Sequence, residues 1–153
     1  MNENVYFECR KRAAIHNERL NSRAGAAEIL GISESTLAHY ELGITKNIPV
    51  DVVVMMAEVY NAPELKCNFC KSECPIGKKL PIATKTGNIE GITVRMLAGL
   101  EDEKIDKIQK TLLRIAADGK VEANESEELK EIVSSLDEVY KAITELRMMA
   151  ERK

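Results

Sequence analysis

SRAGAAEILGISESTLAHYELG, residues 22–43, reads as two short helices joined by a tight turn. Ser22 caps the first, because its hydroxyl can accept from a backbone N–H that has no partner inside the helix. Ala26, Ile29 and Leu30 recur at helical spacing and form its apolar face. Gly31 supplies the turn, since a residue without a Cβ takes the left-handed backbone freely. Ser33 caps the second helix, in which Leu37 and Tyr40 face inward. Glu34, Ser35, Ala38 and His39 are left on the outer side as a short polar row. Gly43 stops this helix just past its end.

Two short helices at a steep angle around a glycine turn make a helix-turn-helix, which sets its second helix in the DNA major groove. The longer stretch LNSRAGAAEILGISESTLAHYELG, followed by a loop and IPVDVVVMMAEVYNAPEL, resembles the phage-repressor-like (Xre/Cro-type) helix-turn-helix family. Ala27, Leu30, Gly31, Ile32, Ser33, Leu37, Glu41, Gly43, Pro49 and Ala57 stand in the family's order and spacing. The resemblance covers about residues 5–66. It implies an all-α, compact five-helix domain that usually binds operator DNA as a dimer.

The same resemblance implies a reading surface. Its bases would be contacted by Glu34, Ser35 and His39, with Ser33, Thr36 and Ala38 near them. A glutamate can accept from a cytosine amino group, and a histidine can donate to a guanine acceptor. Glu34 also suits a purely structural role, complementing the positive end of the helix dipole. Arg23 stands where the family often has glutamine, and an arginine there suits a phosphate or a guanine equally. The loop Ile44-Thr45-Lys46-Asn47 matches a segment that touches the DNA backbone, which makes Thr45, Lys46 and Asn47 candidates. An arginine commonly occupies the position of His16 and pairs with the glutamate matching Glu41. A partly buried His16–Glu41 pair, sensitive to pH near neutrality, is therefore implied; a histidine satisfied by a backbone carbonyl is the equal alternative.

Upstream, residues 4–19 read as one helix, with Tyr6, Cys9, Ala13 and His16 or Asn17 on its stripe and Leu20 closing it. Arg10-Lys11-Arg12 suits either a phosphate contact or a solvated helix face. Gly25 inside the next helix costs about 1 kcal/mol against alanine, which points to close packing there. Downstream, Pro49 opens a fourth helix with Val52, Val53, Met56 and Tyr60 as core, and the Met55-Met56 pair reads as packing.

Composition frames these readings. An apolar fraction of 44% suffices for a core, and 4% aromatics without tryptophan suggest an aliphatic, helical one. The first residues, MNENVYFECRKR, contain no apolar signal-peptide region, and no apolar run approaches the roughly 20 residues a membrane helix needs. These features predict a cytoplasmic protein with no membrane partner, whose 4 cysteines stay reduced unless they bind metal or sense redox state. The net charge of −3 runs against the basic surplus usual in nucleic-acid binders. Residues 1–66 hold 7 basic and 9 acidic side chains, so binding would rest on Arg10, Lys11, Arg12, Arg19, Arg23 and Lys46. Fewer phosphate contacts mean weaker non-specific affinity and a shallower salt dependence.

Cys67, Cys70 and Cys74 form C-x2-C-x3-C before a proline, and Cys9 lies far upstream on a helix expected to pack against the fifth. Four thiolates suit structural zinc or an iron–sulfur cluster; free or redox-active thiols are the third reading. Residues 75–92, PIGKKLPIATKTGNIEGI, read as a linker, and no G-x-x-x-x-G-K-[ST] phosphate loop is present.

From Thr93 the pattern changes to long helix. Leu97, Leu100, Ile105, Ile108, Leu112 and Ile115 form one stripe, broken at Asp118-Gly119. A second helix, capped near Asn124, carries Leu129, Ile132, Leu136, Val139, Ile143, Leu146 and Ala150 in a near-strict heptad. Arg114 and Ala116 stand where the first oxygen ligands of a calcium loop would be, which argues against calcium at DGKVEANE.

The predicted organisation is a helix-turn-helix domain with a Cys-rich end at 1–74, a linker at 75–92 and a dimerising α-hairpin at 93–153. No nucleophile–base pair or convergent carboxylates appear, so no enzyme and no small-molecule substrate are expected. The predicted function is a homodimeric, repressor-like regulator binding double-stranded DNA. Its rivals are an adaptor that keeps the fold without DNA affinity and a thiol- or metal-sensing switch.

Overall fold

The computed structural model describes residues 4–117 and 119–152, and every regular element among them is helical. The chain divides into two compact units. One comprises residues 1–80 with residues 150–153, the other residues 81–149.

In the first unit α1 spans Val5–Ala13. Asn4 starts it twice over: its side-chain oxygen accepts from the Tyr6 N–H at 2.9 Å, and its amide donates to the Tyr40 carbonyl at 2.9 Å. The helix is shorter than the expected 4–19. The chain turns after Ala13, and Asn17 caps a separate 3-10 turn over Glu18–Asn21 that buries Leu20. Helix α2 covers Arg23–Leu30 and α3 covers Glu34–Glu41, capped by Ser22 and Ser33 through bonds to the Gly25 and Thr36 N–H groups. Between them Gly31 adopts φ 65°, and the Ile32 N–H returns to the Ala27 carbonyl at 3.1 Å. Such a left-handed stop is what a glycine at C′ permits.

Helix α4, Val50–Val59, begins immediately after Pro49, and α5 spans Glu64–Ser72. Leu20, Leu30, Leu37, Met56 and Leu65 lie fully inside this unit's core. Each such side chain contributes about 1.5–3 kcal/mol by leaving water, which is the main reason five short helices hold together. Met55, by contrast, stays at the surface. A Cβ on Gly25 would lie 2.2 Å from the Arg19 carbonyl oxygen, so the bare backbone there lets α2 sit against the preceding turn.

In the second unit α6 is Ile89–Gly99, α7 is Asp102–Ala116 and α8 is Ala123–Glu151. Arg95 on α6 pairs with Glu145 on α8 at 2.8 Å, and a Cβ on Gly99 would come within 2.5 Å of Val139. Further along, Arg114 on α7 pairs with Glu125 at 3.0 Å and with Glu128. Contacts thus step backward along α8 as the chain advances through α6 and then α7. The arrangement is a hairpin whose first arm is broken at Leu100–Glu101, where a single long helix was anticipated. The expected linker is partly folded: Gly77–Lys79 form a 3-10 turn, and residues 89–92 belong to α6, with Ile92 completely buried. The predicted break at Asp118 falls on a residue outside those described, while neighbouring Gly119 has φ 70°. Among the described residues no helix is long and apolar enough to cross a membrane.

Candidate nucleic-acid interface

Helix α3 turns Leu37, Tyr40 and Glu41 into the core and leaves Glu34, Ser35 and His39 exposed, with Thr36 and Ala38 half-covered beside them. The periodicity of the helix dictates this split, because residues three and four apart share a face. Ser33 is exposed, but its hydroxyl is engaged: it accepts from the Thr36 N–H at 3.0 Å and lies 2.7 Å from the Thr36 hydroxyl. Past Gly43 the Ile44 and Thr45 N–H groups both donate to the His39 carbonyl, at 2.9 and 3.4 Å. Those bonds fold the loop back onto the end of α3. Lys46 and Asn47 are exposed, Thr45 is half-buried, and Ile48 anchors the loop in the core.

What holds α3 in place is a buried ion cluster. The Arg10 guanidinium donates from Nε and Nη2 to both oxygens of Glu41, and its Nη1 donates to the Leu20 and Asn21 carbonyls at 2.8 and 3.1 Å. Arg23 Nε adds a third donor to Glu41 at 2.7 Å. All three guanidinium nitrogens of Arg10 thus donate to an acceptor, the condition under which a buried charge is tolerated. The anticipated partner of Glu41, His16, is exposed in the turn after α1 instead. The correction has a simple cause: α1 ends at Ala13, so the arginine that reaches Glu41 stands six positions earlier in the chain. Helical spacing carried the signal, since Arg10 lies four residues after buried Tyr6 on the inward stripe.

Two of the three residues of the basic cluster are engaged within the unit. Arg10 is buried, and Arg12 pairs with Glu64, which Arg152 also reaches at 3.2 Å; Lys11 is exposed. Nearer the reading face, Arg23 is committed to Glu41 and Arg19 pairs with Glu28 at 3.0 Å.

Residues 17–65 match the family model described as helix-turn-helix. The domain belongs to the Xre/Cro-type helix-turn-helix family. No curated protein and no solved structure matches the chain. The family is one of DNA-binding regulators, and residues 17–65 carry its helix-turn-helix domain. The match ends before the cysteine run and leaves the second unit outside it.

The four cysteines lie in the helix-turn-helix unit, Cys9 on α1 and Cys67 and Cys70 on α5, with Cys74 just beyond it. Among the described residues no group of three or more His, Cys, Asp or Glu is arranged to hold a metal ion. Cys9 is buried on α1, with its sulfur 3.3 Å from Arg12 and 3.8 Å from Glu64. Glu64 at the start of α5, with Arg12 and Arg152 paired to it, is thus the polar neighbour of the Cys9 sulfur. Burial, reinforced by Glu64, pushes the Cys9 thiol up to about 12; burial also raises Cys67. Cys67, Cys70 and Cys74 are half-buried, and Cys74 accepts weakly from the Gly77 N–H at 3.5 Å.

Proposed function

We propose that the protein is a dimeric, repressor-like regulator that occupies an operator by inserting α3 into the major groove. The observation that carries this reading is the exposed row Glu34, Ser35 and His39 on a helix whose far end is clamped by Arg10. A helix presenting a donor and an acceptor five residues apart suits base edges, with Glu34 accepting from a cytosine amino group and His39 donating to guanine. Ala38 leaves room for a thymine methyl group. Thr45, Lys46 and Asn47 flank that row and fit backbone contacts, while Arg23, Ser33 and Thr36 border it with polar groups engaged inside the domain. Two reading helices need two chains, and the second unit supplies the dimerising element. The regulator acts by occupancy, in the cytoplasm.

Titrating the full chain onto DNA from its own upstream region at several salt concentrations tests this. Retarded complexes that weaken with salt and are lost with Ser35→Glu support it; no complex even at low salt overturns it.

A second reading, an adaptor that keeps the fold without DNA affinity, is favoured by one observation. Arg10, Arg19 and Arg23 are all tied to carboxylates, which leaves the face poor in cations for phosphate. Absence of a gel shift with a protein partner retained would select it.

A further inference from the structure

The second unit is two helices thick at every level along α8, with α6 lying beside one half and α7 beside the other. A layer of two helices cannot enclose a core, and large apolar side chains remain open: Leu113 is 73% exposed and Val133 56%. Between α7 and α8 lies a groove of about 380 Å³. Its floor is apolar at Ile108 and Ile132, and each stripe continues one turn on to a partly exposed leucine, Leu112 and Leu136. The two rims differ in charge. Lys104 and Lys107 edge the α7 side, Glu128 and Glu131 the α8 side. Among the described residues Lys107 and Glu131 make no ion pair within the chain, and both are exposed.

We propose that this groove is where a second copy of the chain docks, about a two-fold axis that sets Lys107 of each copy opposite Glu131 of the partner subunit. The proposal rests on the dimeric reading above and adds where the two chains meet. A surface with one basic and one acidic rim is complementary to itself: a two-fold that lays α7 on α8 of the partner subunit brings unlike rims together twice. The antiparallel hairpin places Lys107 and Glu131 at one level, so an axis running along the groove, parallel to the two helices, brings them face to face. The leucines then close over Ile108 and Ile132, and two open hairpins become one four-helix bundle.

The test is charge reversal read by sedimentation velocity on the full chain. Wild type should sediment as a dimer. Lys107→Glu and Glu131→Lys should each dissociate at concentrations about tenfold higher or more than wild type does, because like charges then face each other twice. Mixing the two variants should restore a dimer, and so should carrying both changes in one chain. The rescue on mixing requires contact between chains, because each single variant carries only like charges at the two positions, so a purely internal role for these residues would not produce it. If both single variants dimerise like wild type, or if the combined variant stays monomeric, the groove is not the interface and the dimeric reading still stands. A wild-type chain that remains monomeric both free and on DNA would overturn both.

Discussion

The Glu41 carboxylate, in the last turn of α3, is held by the Arg10 guanidinium of α1 through two hydrogen bonds, with both side chains almost wholly out of water. This pair joins the helix that would read DNA to the first helix of the chain, 31 residues upstream. It fixes α3 from beneath, so the exposed row is presented on a stationary rod.

Removing one partner of such a pair leaves the other charged and buried. Arg10→Met should therefore destabilise the first unit by about 3–5 kcal/mol, measured by urea unfolding. Combining it with Glu41→Leu should lose less than the sum of the two single changes, because neither charge is then stranded.

Gly25→Ala separates local preference from packing. Helix propensity alone favours alanine by about 1 kcal/mol. The added Cβ, however, meets the Arg19 carbonyl oxygen at 2.2 Å, and both groups are backbone that cannot step aside. The variant should melt below wild type in a thermal scan; a higher melting temperature would show that the turn over Glu18–Asn21 gives way.

Acid should weaken both units. Burial pushes the Glu64 carboxyl up, but its own backbone N–H, Arg152 and Arg12 outweigh this and hold it below its ordinary 4.5. Arg95 and the Gly87 N–H do the same for Glu145. A carboxylate with a depressed folded value contributes fully above its unfolded value and loses that contribution as pH falls through the folded one. Urea midpoints should thus hold near neutrality and drop below about pH 4.5. Glu64→Gln should flatten that drop.

Thiol alkylation should distinguish the cysteines. Cys9, 2% exposed and with its thiol pushed up to about 12, should resist iodoacetamide at pH 8 until the unit unfolds. Cys70 and Cys74 should react in the native state, ahead of Cys67. Peptide mass mapping over a time course reads the order.

Lys46 lies exposed in the loop beyond α3. If that loop sits on a phosphate, Lys46→Ala should weaken binding to all DNA sequences alike and lower the slope of log K against log salt by about 1. A change confined to one sequence would instead make Lys46 a base reader.

Much of the first unit was legible because its rules are local. Ser22, Gly31, Ser33, Gly43 and Pro49 each govern a backbone group within a few residues, and each sits where a helix starts or stops. The outward row on α3 followed from the same 3.6-residue period. The long hairpin was also legible as two apolar stripes. The break at Leu100–Glu101 was not, because a stripe continues in register across a bend.

Pairings over long distances were a different matter. Which cation meets Glu41 depends on where α1 ends, and that end is set by burial of Leu20 and the Asn17 cap rather than by any periodicity in residues 4–19. What lies beside Cys9 between α1 and α5, namely Glu64 with Arg12 and Arg152, likewise follows from packing and not from spacing along the chain. Spacing along a chain determines which residues share a face of one helix. Only the packed structure decides which faces meet, because that choice is made by volume and charge summed over the whole core.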